Sequence, residues 1–258
     1  KQKNKTSCTL ATILTDFVPH DQWTIGSRFN DFYFVSNENL KNALIESGIE
    51  KNKIYTTGIP ISNRFLQTYN NEKIYKSFGL LPNKKTVLFF GGGEYGLGKD
   101  KTVAILNTLA DFNDIQVVAI AGKNEKLKLA FEELVKERNK EDSIKVLPFT
   151  DKVPELMNIA DLVITKPGGL TVSESLVSSL PLILINPIPG QEEENAEFLE
   201  DAGAAIWIRK ISDPKDVISS VLSNEKKLNY MKENAMKLAR PNSTKDICEI
   251  CFNKKKGE

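Results

Sequence analysis

The sequence is poor in cysteine, in histidine and in long apolar runs, and its charges nearly cancel. Its 258 residues include three cysteines and one histidine, and 35 lysines and arginines face 34 aspartates and glutamates. Three cysteines are too few for the disulfide framework of a small secreted domain. A net charge of +1 gives no electrostatic basis for nucleic-acid binding, so we expect no nucleic-acid partner.

Membrane segments and metal motifs are also missing. No apolar run approaches the roughly 18 residues that suggest a membrane-spanning helix. The first residues, Lys-Gln-Lys-Asn-Lys, are not followed by an apolar segment, so we expect no signal peptide, and the missing initiator Met predicts residues upstream of Lys1. Cys248 and Cys251 form a C-x-x-C without a second pair. We interpret them as helix positions and expect no metal site.

What the sequence does contain is an alternation of short apolar runs with amphipathic stretches. The runs are continuous rather than alternating, which is typical of buried parallel strands, and their spacing predicts βαβ units in a doubly wound α/β sheet. The predicted strands are Cys8–Leu14, Phe32–Val35, Lys53–Thr56, Thr86–Phe90, Gln116–Ala121, Ile144–Val146, Leu162–Thr165 and Leu182–Ile185. The predicted helices include Glu38–Ser47, Lys101–Ala110, Glu125–Lys140 and Val172–Ser179.

A break in this alternation predicts two domains. Gly58-Ile-Pro60 ends the first set of units, and a polar helix with Asn70-Asn71 precedes the next strand. We therefore expect residues 1–62 to belong to one domain and residues 63–240 to form a second, with five or six β/α units. The tail Pro214–Cys251 is helical apart from a break at Pro241-Asn242-Ser243, and we expect residues 241–258 to return to the first domain.

A glycine loop joins the strand Thr86–Phe90 to the next helix. Its Gly91, Gly93 and Gly96 satisfy G-x-G-x-x-G, but the following strand lacks the acidic residue that a dinucleotide site needs for the ribose. The spacing also approaches a Walker A motif, but Asp100 stands where Ser or Thr would bind Mg²⁺. The remaining prediction is a loop that faces a diphosphate; a tight turn without a ligand is the alternative.

A second glycine turn, Lys166-Pro-Gly-Gly-Leu-Thr171, follows the strand Leu162–Thr165. Loops at the carboxyl ends of parallel strands line a common crevice, so we expect both turns to face one cleft. Thr171 and Glu174 match the capping box S/T-x-x-E, which would give Glu174 a structural role. The functional alternative is that the Glu174 carboxylate accepts hydrogen bonds from a ribose diol.

A third loop, Pro187-Ile-Pro-Gly190-Gln191-Glu-Glu-Glu-Asn195, opens another helix with a dense polar cluster. Carboxylates at a helix start complement the helix dipole, which is a sufficient structural reason for them. At the rim of a nucleotide cleft, the same acceptors and amides suit sugar hydroxyls. We favour sugar recognition because this loop coincides with the two glycine turns.

These motifs resemble the donor domain of GT-B glycosyltransferases. Lys166–Glu174 and Gly190–Asn195 are similar to the group of processive diacylglycerol glucosyltransferases and monogalactosyldiacylglycerol synthases, and more distantly to the lipid II GlcNAc transferase. Thr15-Asp16-Phe17 with His20 and Trp23, and then Thr57–Pro60, resemble the end of that group's acceptor domain. The resemblance implies a GT-B fold: a Rossmann-like donor domain with the last part of a second Rossmann-like domain.

The resemblance also implies the roles of individual residues. The first loop would lie by the donor diphosphate, Phe149 and the backbone at Val153 would hold uracil, and Glu174 would hold the ribose. The turn at residues 168–171 would hold phosphate, and the third loop would hold the sugar. The donor-binding residues implied are Gly92, Gly93, Glu94, Tyr95, Gly122, Asn124, Phe149, Val153, Gly168, Gly169, Leu170, Thr171, Glu174, Gln191, Glu192 and Asn195.

His20 and Asp16 are the expected catalytic residues, although a lone histidine is also often structural. The resemblance implies a metal-independent, inverting transfer from a UDP-hexose, with UDP-glucose as the expected donor, to diacylglycerol. The alternatives are a UDP-GlcNAc transferase acting on a lipid-linked peptidoglycan precursor and a noncatalytic UDP-sugar-binding subunit. We expect a cytoplasmic protein in peripheral contact with the inner face of the cell membrane.

Overall fold

Two all-parallel β-sheets organise the chain, and the computed structural model describes residues 8–92 and 98–253 of it. The smaller sheet contains β1 (Ala11–Ile13), β2 (Phe32–Val35) and β3 (Ile54–Thr56), in that order. Ala11 lies opposite Phe32, and Tyr33 lies opposite Ile54. All four residues of β2 are buried, which explains why its sequence, Phe-Tyr-Phe-Val, is continuously apolar.

The larger sheet has six strands in the order β6-β5-β4-β7-β8-β9. Chain order reverses between β4 and β7, which are neighbours in the sheet although β5 and β6 separate them along the chain. This pair is therefore the topological switch point, where open α/β sheets bind their ligands. The strands are β4 (Lys85–Phe90), β5 (Ile115–Ile120), β6 (Ile144–Leu147), β7 (Leu162–Thr165), β8 (Leu182–Leu184) and β9 (Ala205–Trp207).

Helices cover both faces of the larger sheet, as expected of a doubly wound fold. One core unites the β-strands with Leu106, Phe131 and Ile218, and the other unites them with Leu156 and Leu176. The helices are α1 (Glu38–Glu46), α2 (Asn71–Phe78), α3 (Lys99–Leu109), α4 (Glu125–Glu137), α5 (Val153–Ile159), α6 (Gly169–Val177), α7 (Gln191–Asp201), α8 (Pro214–Leu222), α9 (Glu225–Leu238) and α10 (Ser243–Asn253).

The predicted α/β fold class is confirmed, and most differences lie at element ends. β2 and β7 have the predicted bounds, whereas β1 keeps only three of its seven predicted residues. β9 was not predicted. The tail contains a second break, since α8 ends at Leu222 and the Asn224 side chain caps α9 by accepting from the Lys227 N–H.

The smaller sheet and the tail make specific contacts. Ile247 of α10 packs with Phe32 and Phe34 of β2. The Ser243 hydroxyl donates to the Ile59 carbonyl at 2.9 Å, so the tail helix lies on the smaller sheet. The domain bounds at residues 62 and 240 stay a prediction. Among residues 8–92 and 98–253, no helix is long and apolar enough to cross a membrane.

Candidate functional site

A cavity of about 590 Å³ opens at the carboxyl edge of the larger sheet, beside the β4–β7 switch point. Its wall consists mostly of the turns that follow β4, β5, β6 and β7 and the helices that these turns open. Eight of the predicted donor-binding residues lie in this wall: Gly92, Gly122, Phe149, Val153, Gly168, Thr171, Glu174 and Glu192. The other described ones, which are Asn124, Gly169, Leu170, Gln191 and Asn195, lie outside it.

The first glycine turn begins directly after β4. A Cβ atom at Gly91 would lie 2.8 Å from Leu127 Cδ2 and 3.0 Å from Phe131 Cζ, so this glycine lets α4 approach the strand end. Gly92 has a φ of 94° and lines the cavity, which is a conformation that glycine adopts without steric cost. The predicted residues Gly93, Glu94 and Tyr95 lie outside the described residues.

The second glycine turn begins α6 at the cavity wall. Gly168 is the N-cap, and a Cβ atom there would meet nothing within 4 Å, whereas a Cβ at Gly169 would overlap the carbonyl oxygen of Thr15. The capping box predicted from Thr171 and Glu174 is wrong. The helix starts at Gly169, so Thr171 already lies inside its first turn and cannot cap it.

Glu174 is the ionisable group that the cavity isolates most clearly. Its side chain lines the cavity and makes no hydrogen bond or ion pair with the described residues. Burial raises the pKa of its carboxyl from 4.5 to about 7, because the charged form loses its contact with water. A partly buried carboxylate without a protein partner is a ready acceptor for ligand hydroxyl groups.

Phe149 lines the cavity from the turn between β6 and α5. It is 64% exposed although it is a large aromatic side chain, and the Lys123 ammonium lies 5.6 Å from its ring centroid. Val153 begins α5 four residues later. An exposed ring on the wall of a cavity offers a flat surface on which a planar ligand group can stack.

Asn124 follows β5, and its side chain caps the next helix, α4. Its side chain accepts from the Leu127 N–H at 3.0 Å and thereby caps α4. Gly122, two residues earlier, has a φ of 66° and lines the cavity. Leu170, by contrast, is 56% exposed on the first turn of α6.

An ion pair forms another part of the cavity wall. The Lys166 ammonium lies 3.1 Å from Glu192 Oε1, and both side chains are largely buried. The other oxygen of Glu192 accepts from the Ile188 N–H at 2.7 Å. Both residues line the cavity, so this pair places a cation and a carboxylate together beside the second glycine turn.

A polar cluster ties the segment after β1 to α7. Asn195 is fully buried; its Oδ1 accepts from the Phe17 N–H at 2.8 Å, and its Nδ2 donates to Asp16 Oδ1 at 3.0 Å and to the Pro167 carbonyl at 3.2 Å. The Gln191 amide donates to the other Asp16 oxygen. The structure contradicts direct sugar binding by Asn195, because its amide is buried and both its ends bond to protein.

Asp16 and His20 lie outside the wall of the 590 Å³ cavity. Burial raises the pKa of Asp16 above its usual range, while hydrogen bonds from Asn195 and Gln191 lower it. The bonds from Gln191 and Asn195 place the Asp16 carboxylate against the first turns of α7. The His20 ring lies 6.1 Å from the Trp23 ring, centroid to centroid. Of the two predicted catalytic residues, Asp16 therefore lies on the α7 side of the cavity.

Two groups of wall residues were not predicted from the sequence. Arg64 and Phe65 follow the predicted domain boundary, in a stretch without periodicity or motif, and no signal could have found them. Lys166 opens the glycine motif itself, so its position next to a phosphate turn was a usable signal. Lys166 also lines a larger cavity of about 850 Å³ that contains none of the predicted site residues.

The described residues of the site offer no cluster of metal ligands. Within residues 8–92 and 98–253, no three His, Cys, Asp or Glu side chains converge in a way that could hold an ion. Cys248 and Cys251 are free thiols on α10, and burial raises the pKa of Cys251.

Two family descriptions match different parts of the chain. The description of the glycosyltransferase family 28 C-terminal domain matches residues 86–249, which include the larger sheet and the cavity. The description of monogalactosyldiacylglycerol (MGDG) synthase matches residues 1–61, which include the smaller sheet. The two matches lie on either side of the predicted domain boundary.

A relative and two solved structures extend these matches. The chain is 37% identical over 250 residues to a processive diacylglycerol beta-glucosyltransferase of Bacillus licheniformis, covering 94% of this chain and 64% of the relative. It therefore spans less than two thirds of that protein. Acinetobacter baumannii MurG has 19% identity and a TM-score of 0.69, covering 96% of this chain and 67% of that one. A UDP-GlcNAc 2-epimerase from Neisseria meningitidis has 15% identity and a TM-score of 0.72, with coverages of 95% and 70%.

Proposed function

Because the chain belongs to glycosyltransferase family 28, we propose that it is the donor-binding part of an inverting enzyme that transfers a hexose from a UDP-hexose to diacylglycerol. UDP-glucose is the proposed donor, since the Bacillus licheniformis relative is named as a beta-glucosyltransferase. The observation that carries the proposal is the Glu174 carboxylate, which has no partner among residues 8–92 and 98–253 and shares one cavity with both glycine turns.

The nucleoside end of the proposed donor occupies the cavity between Phe149 and Glu174. Uracil stacks on the exposed ring of Phe149, and the backbone at Val153 reads its edge. The ribose diol donates two hydrogen bonds to the Glu174 carboxylate, a charge-assisted contact worth about 1.5–3 kcal/mol. A cavity of about 590 Å³ lies in the usual size range for ligands of this kind.

The diphosphate of the proposed donor lies against the N-terminus of α6. The first N–H groups of a helix have no partners within the helix, and the dipole is positive at this end. Gly168 leaves space for a phosphate oxygen, because nothing lies within 4 Å of its would-be Cβ. Lys166 also lies beside this turn, but its ion pair with Glu192 already balances its charge. The N–H groups of α6 therefore supply most of the preorganised positive charge that the leaving diphosphate meets.

The transfer itself needs one base near the acceptor hydroxyl. In the proposed step, the hydroxyl oxygen of diacylglycerol attacks the anomeric carbon from the face opposite UDP. The new C–O bond forms as the bond to the diphosphate breaks, UDP leaves with the electron pair, and Asp16 or His20 takes the hydroxyl proton. Asp16 accepts a hydrogen bond from Gln191, and the next residue, Glu192, belongs to the cavity wall that would face the sugar.

Titration calorimetry tests the donor half of this proposal directly. The 258-residue chain should bind UDP and UDP-glucose and should not bind NAD, because the wall lacks an acidic residue after β5 for an NAD ribose. NAD binding without UDP binding would overturn the proposal. UDP-GlcNAc serves as the fourth ligand, and a clear preference for it would favour the peptidoglycan-type transferase.

Turnover tests the acceptor half. UDP release from UDP-glucose is measured with diacylglycerol in mixed micelles, both for this chain and for any longer product of its gene. His20→Ala should lower turnover and leave UDP affinity within about twofold, because the histidine lies outside the cavity wall. If the longer protein binds UDP-glucose but transfers nothing, the noncatalytic subunit is the correct function.

The proposed acceptor also places the protein at the cytoplasmic face of the membrane, where it would bind peripherally. Flotation with liposomes that contain diacylglycerol measures this contact. Recovery of the protein in the lipid-free fraction at every diacylglycerol content would contradict it.

A further inference from the structure

The buried side chain of Asn195 joins three segments that are far apart in sequence. It has no exposed surface, and its amide contacts the Phe17 N–H, the Asp16 carboxylate and the Pro167 carbonyl. The three segments are residues 16–17 after β1, the second glycine turn, and α7, the helix that contains Asn195. A buried amide with every strong bond made to protein is a structural connector rather than a ligand contact.

A second, independent set of contacts shows that the segment after β1 is seated on the helices of the larger sheet. The carbonyl of Thr15 occupies the space where Gly169 would carry a Cβ. Phe17 is 5% exposed, and its ring stacks on Phe198 of α7 with centroids 5.6 Å apart. Residues 15–17 follow β1 of the smaller sheet, yet they pack against α6 and α7, which are helices of the larger sheet.

We propose that Asn195 is a positioning residue for the transfer: it holds the Asp16 carboxylate beside the α7 side of the donor cavity and fixes it relative to the second glycine turn. This inference rests on the proposed function, in which Asp16 acts near the anomeric carbon. Asn195 itself does not touch the donor. One carboxylate oxygen of Asp16 takes the Asn195 bond and the other takes the Gln191 bond, so the group has a defined orientation.

The amide at position 195 cannot be replaced by a carboxylate without a penalty. Asn195 offers an acceptor to Phe17 and a donor to Asp16, whereas an aspartate would face Asp16 with a second negative charge. Among the described residues, the titratable groups that interact with Asp16 are Glu192 and His20. Lys166 balances the charge of Glu192 through their ion pair. Two carboxylates in contact share one proton readily, which raises their combined affinity for it.

Three variants test the inference: Asn195→Asp, Asp16→Asn and the exchange of both residues. Asn195→Asp should lower turnover more than tenfold at pH 8 and regain at least fivefold at pH 6, where one shared proton restores the hydrogen bond. The double exchange returns an amide donor opposite a carboxylate. It should recover most of the melting temperature and UDP affinity lost in Asn195→Asp, but turnover should stay more than tenfold low because position 16 carries no carboxylate.

The matched control is Asn158→Asp, which alters an exposed amide that bonds to Asn71. It should change neither turnover nor its pH profile. Recovery of turnover in the double exchange would overturn the inference, since Asn195 would then act through the fold alone. Full activity of Asn195→Asp at pH 8 would overturn it as well.

Failure of the proposed function gives a different result: the wild-type protein then binds UDP-glucose but releases no UDP from it. In that case the positioning role is also rejected, while the melting temperatures of the three variants still report whether the hydrogen bonds join the segments.

Discussion

The two glycine turns at the switch point of the larger sheet look alike in sequence but use their glycines differently. At the first turn, Gly91 makes room for Leu127 and Phe131 of α4, and Gly92 lines the cavity with a positive φ. At the second turn, Gly168 faces open space, and Gly169 leaves room for the Thr15 carbonyl because it has no side chain.

This difference separates the structural from the functional part of each motif. A glycine pair before a helix signals a close approach of some kind, but it does not say whether a ligand, a helix or another segment approaches. In each turn, one glycine serves packing and the other faces the cavity. The following predictions test this division.

The largest effect is expected from Gly169→Ala compared with Gly168→Ala. The new methyl group at position 169 overlaps the Thr15 backbone, so we expect about 3 kcal/mol of destabilisation and a melting temperature about 6–12 °C lower. Gly168→Ala should cost at most about 1 kcal/mol, because alanine is a weaker N-cap than glycine. It should instead weaken UDP binding about tenfold.

Thermal unfolding and UDP calorimetry on both variants measure this contrast. Equal melting temperatures for the two variants would show that residues 15–17 do not pack on α6 as described. Unchanged UDP affinity in Gly168→Ala would remove the diphosphate from the second turn.

Glu174→Ala should weaken UDP binding more than tenfold, because it removes the carboxylate proposed to hold the ribose. Glu174→Gln is the matched control, since it keeps one acceptor and should lose less. The wild-type affinity should rise between pH 6 and pH 8 as the carboxyl, with its pKa of about 7, ionises. A pH-independent affinity equal to that of the variants would exclude Glu174 from the site.

The same group predicts a stability change of definite sign. The folded state keeps the Glu174 proton up to about pH 7, whereas the unfolded chain releases it near pH 4.5. Ionisation therefore costs stability progressively as the pH rises through this window. Glu174→Gln should be more stable than wild type at pH 8, by about 3 kcal/mol, and equally stable at pH 4. Denaturant titrations at the two pH values measure the difference.

Phe149→Ala should weaken UDP binding about tenfold, since stacking of a base on an aromatic ring is worth about 1–3 kcal/mol. Phe252→Ala is the matched control. Phe252 has the same exposed fraction, 64%, but lies on α10 outside the cavity wall. Calorimetry should show no change in UDP affinity for the control, and equal affinities for both variants would exclude Phe149 as the base platform.

The smallest effect is expected from Asn124→Ala, on the side of the first turn. Because Asn124 caps α4, we expect about 1 kcal/mol of destabilisation. UDP affinity should change less than twofold, since the side chain lies outside the cavity wall. A tenfold loss of affinity without loss of stability would instead support the donor-binding role that the resemblance implies.

The sequence by itself determined the parallel α/β fold, the switch-point cleft and the family. Strands that are buried on both faces of a parallel sheet have continuous apolar sequences, as in Phe32–Val35. Such a run can therefore be recognised as a strand from the local sequence. Two glycine turns after β4 and β7 had to meet once both strands joined one sheet, because the carboxyl ends of parallel strands share an edge.

Only the tertiary structure decided which polar side chains of these motifs face the cavity. Thr171 and Glu174 fit a capping box, but the helix begins at Gly169, and Glu174 remains without a partner among the described residues. Asn195 fits a sugar-binding motif, yet residues 15–17 fold onto it and use its amide. A hydrogen bond between residues 179 positions apart leaves no local pattern in the sequence. Which residues line the cavity therefore depended on long-range packing.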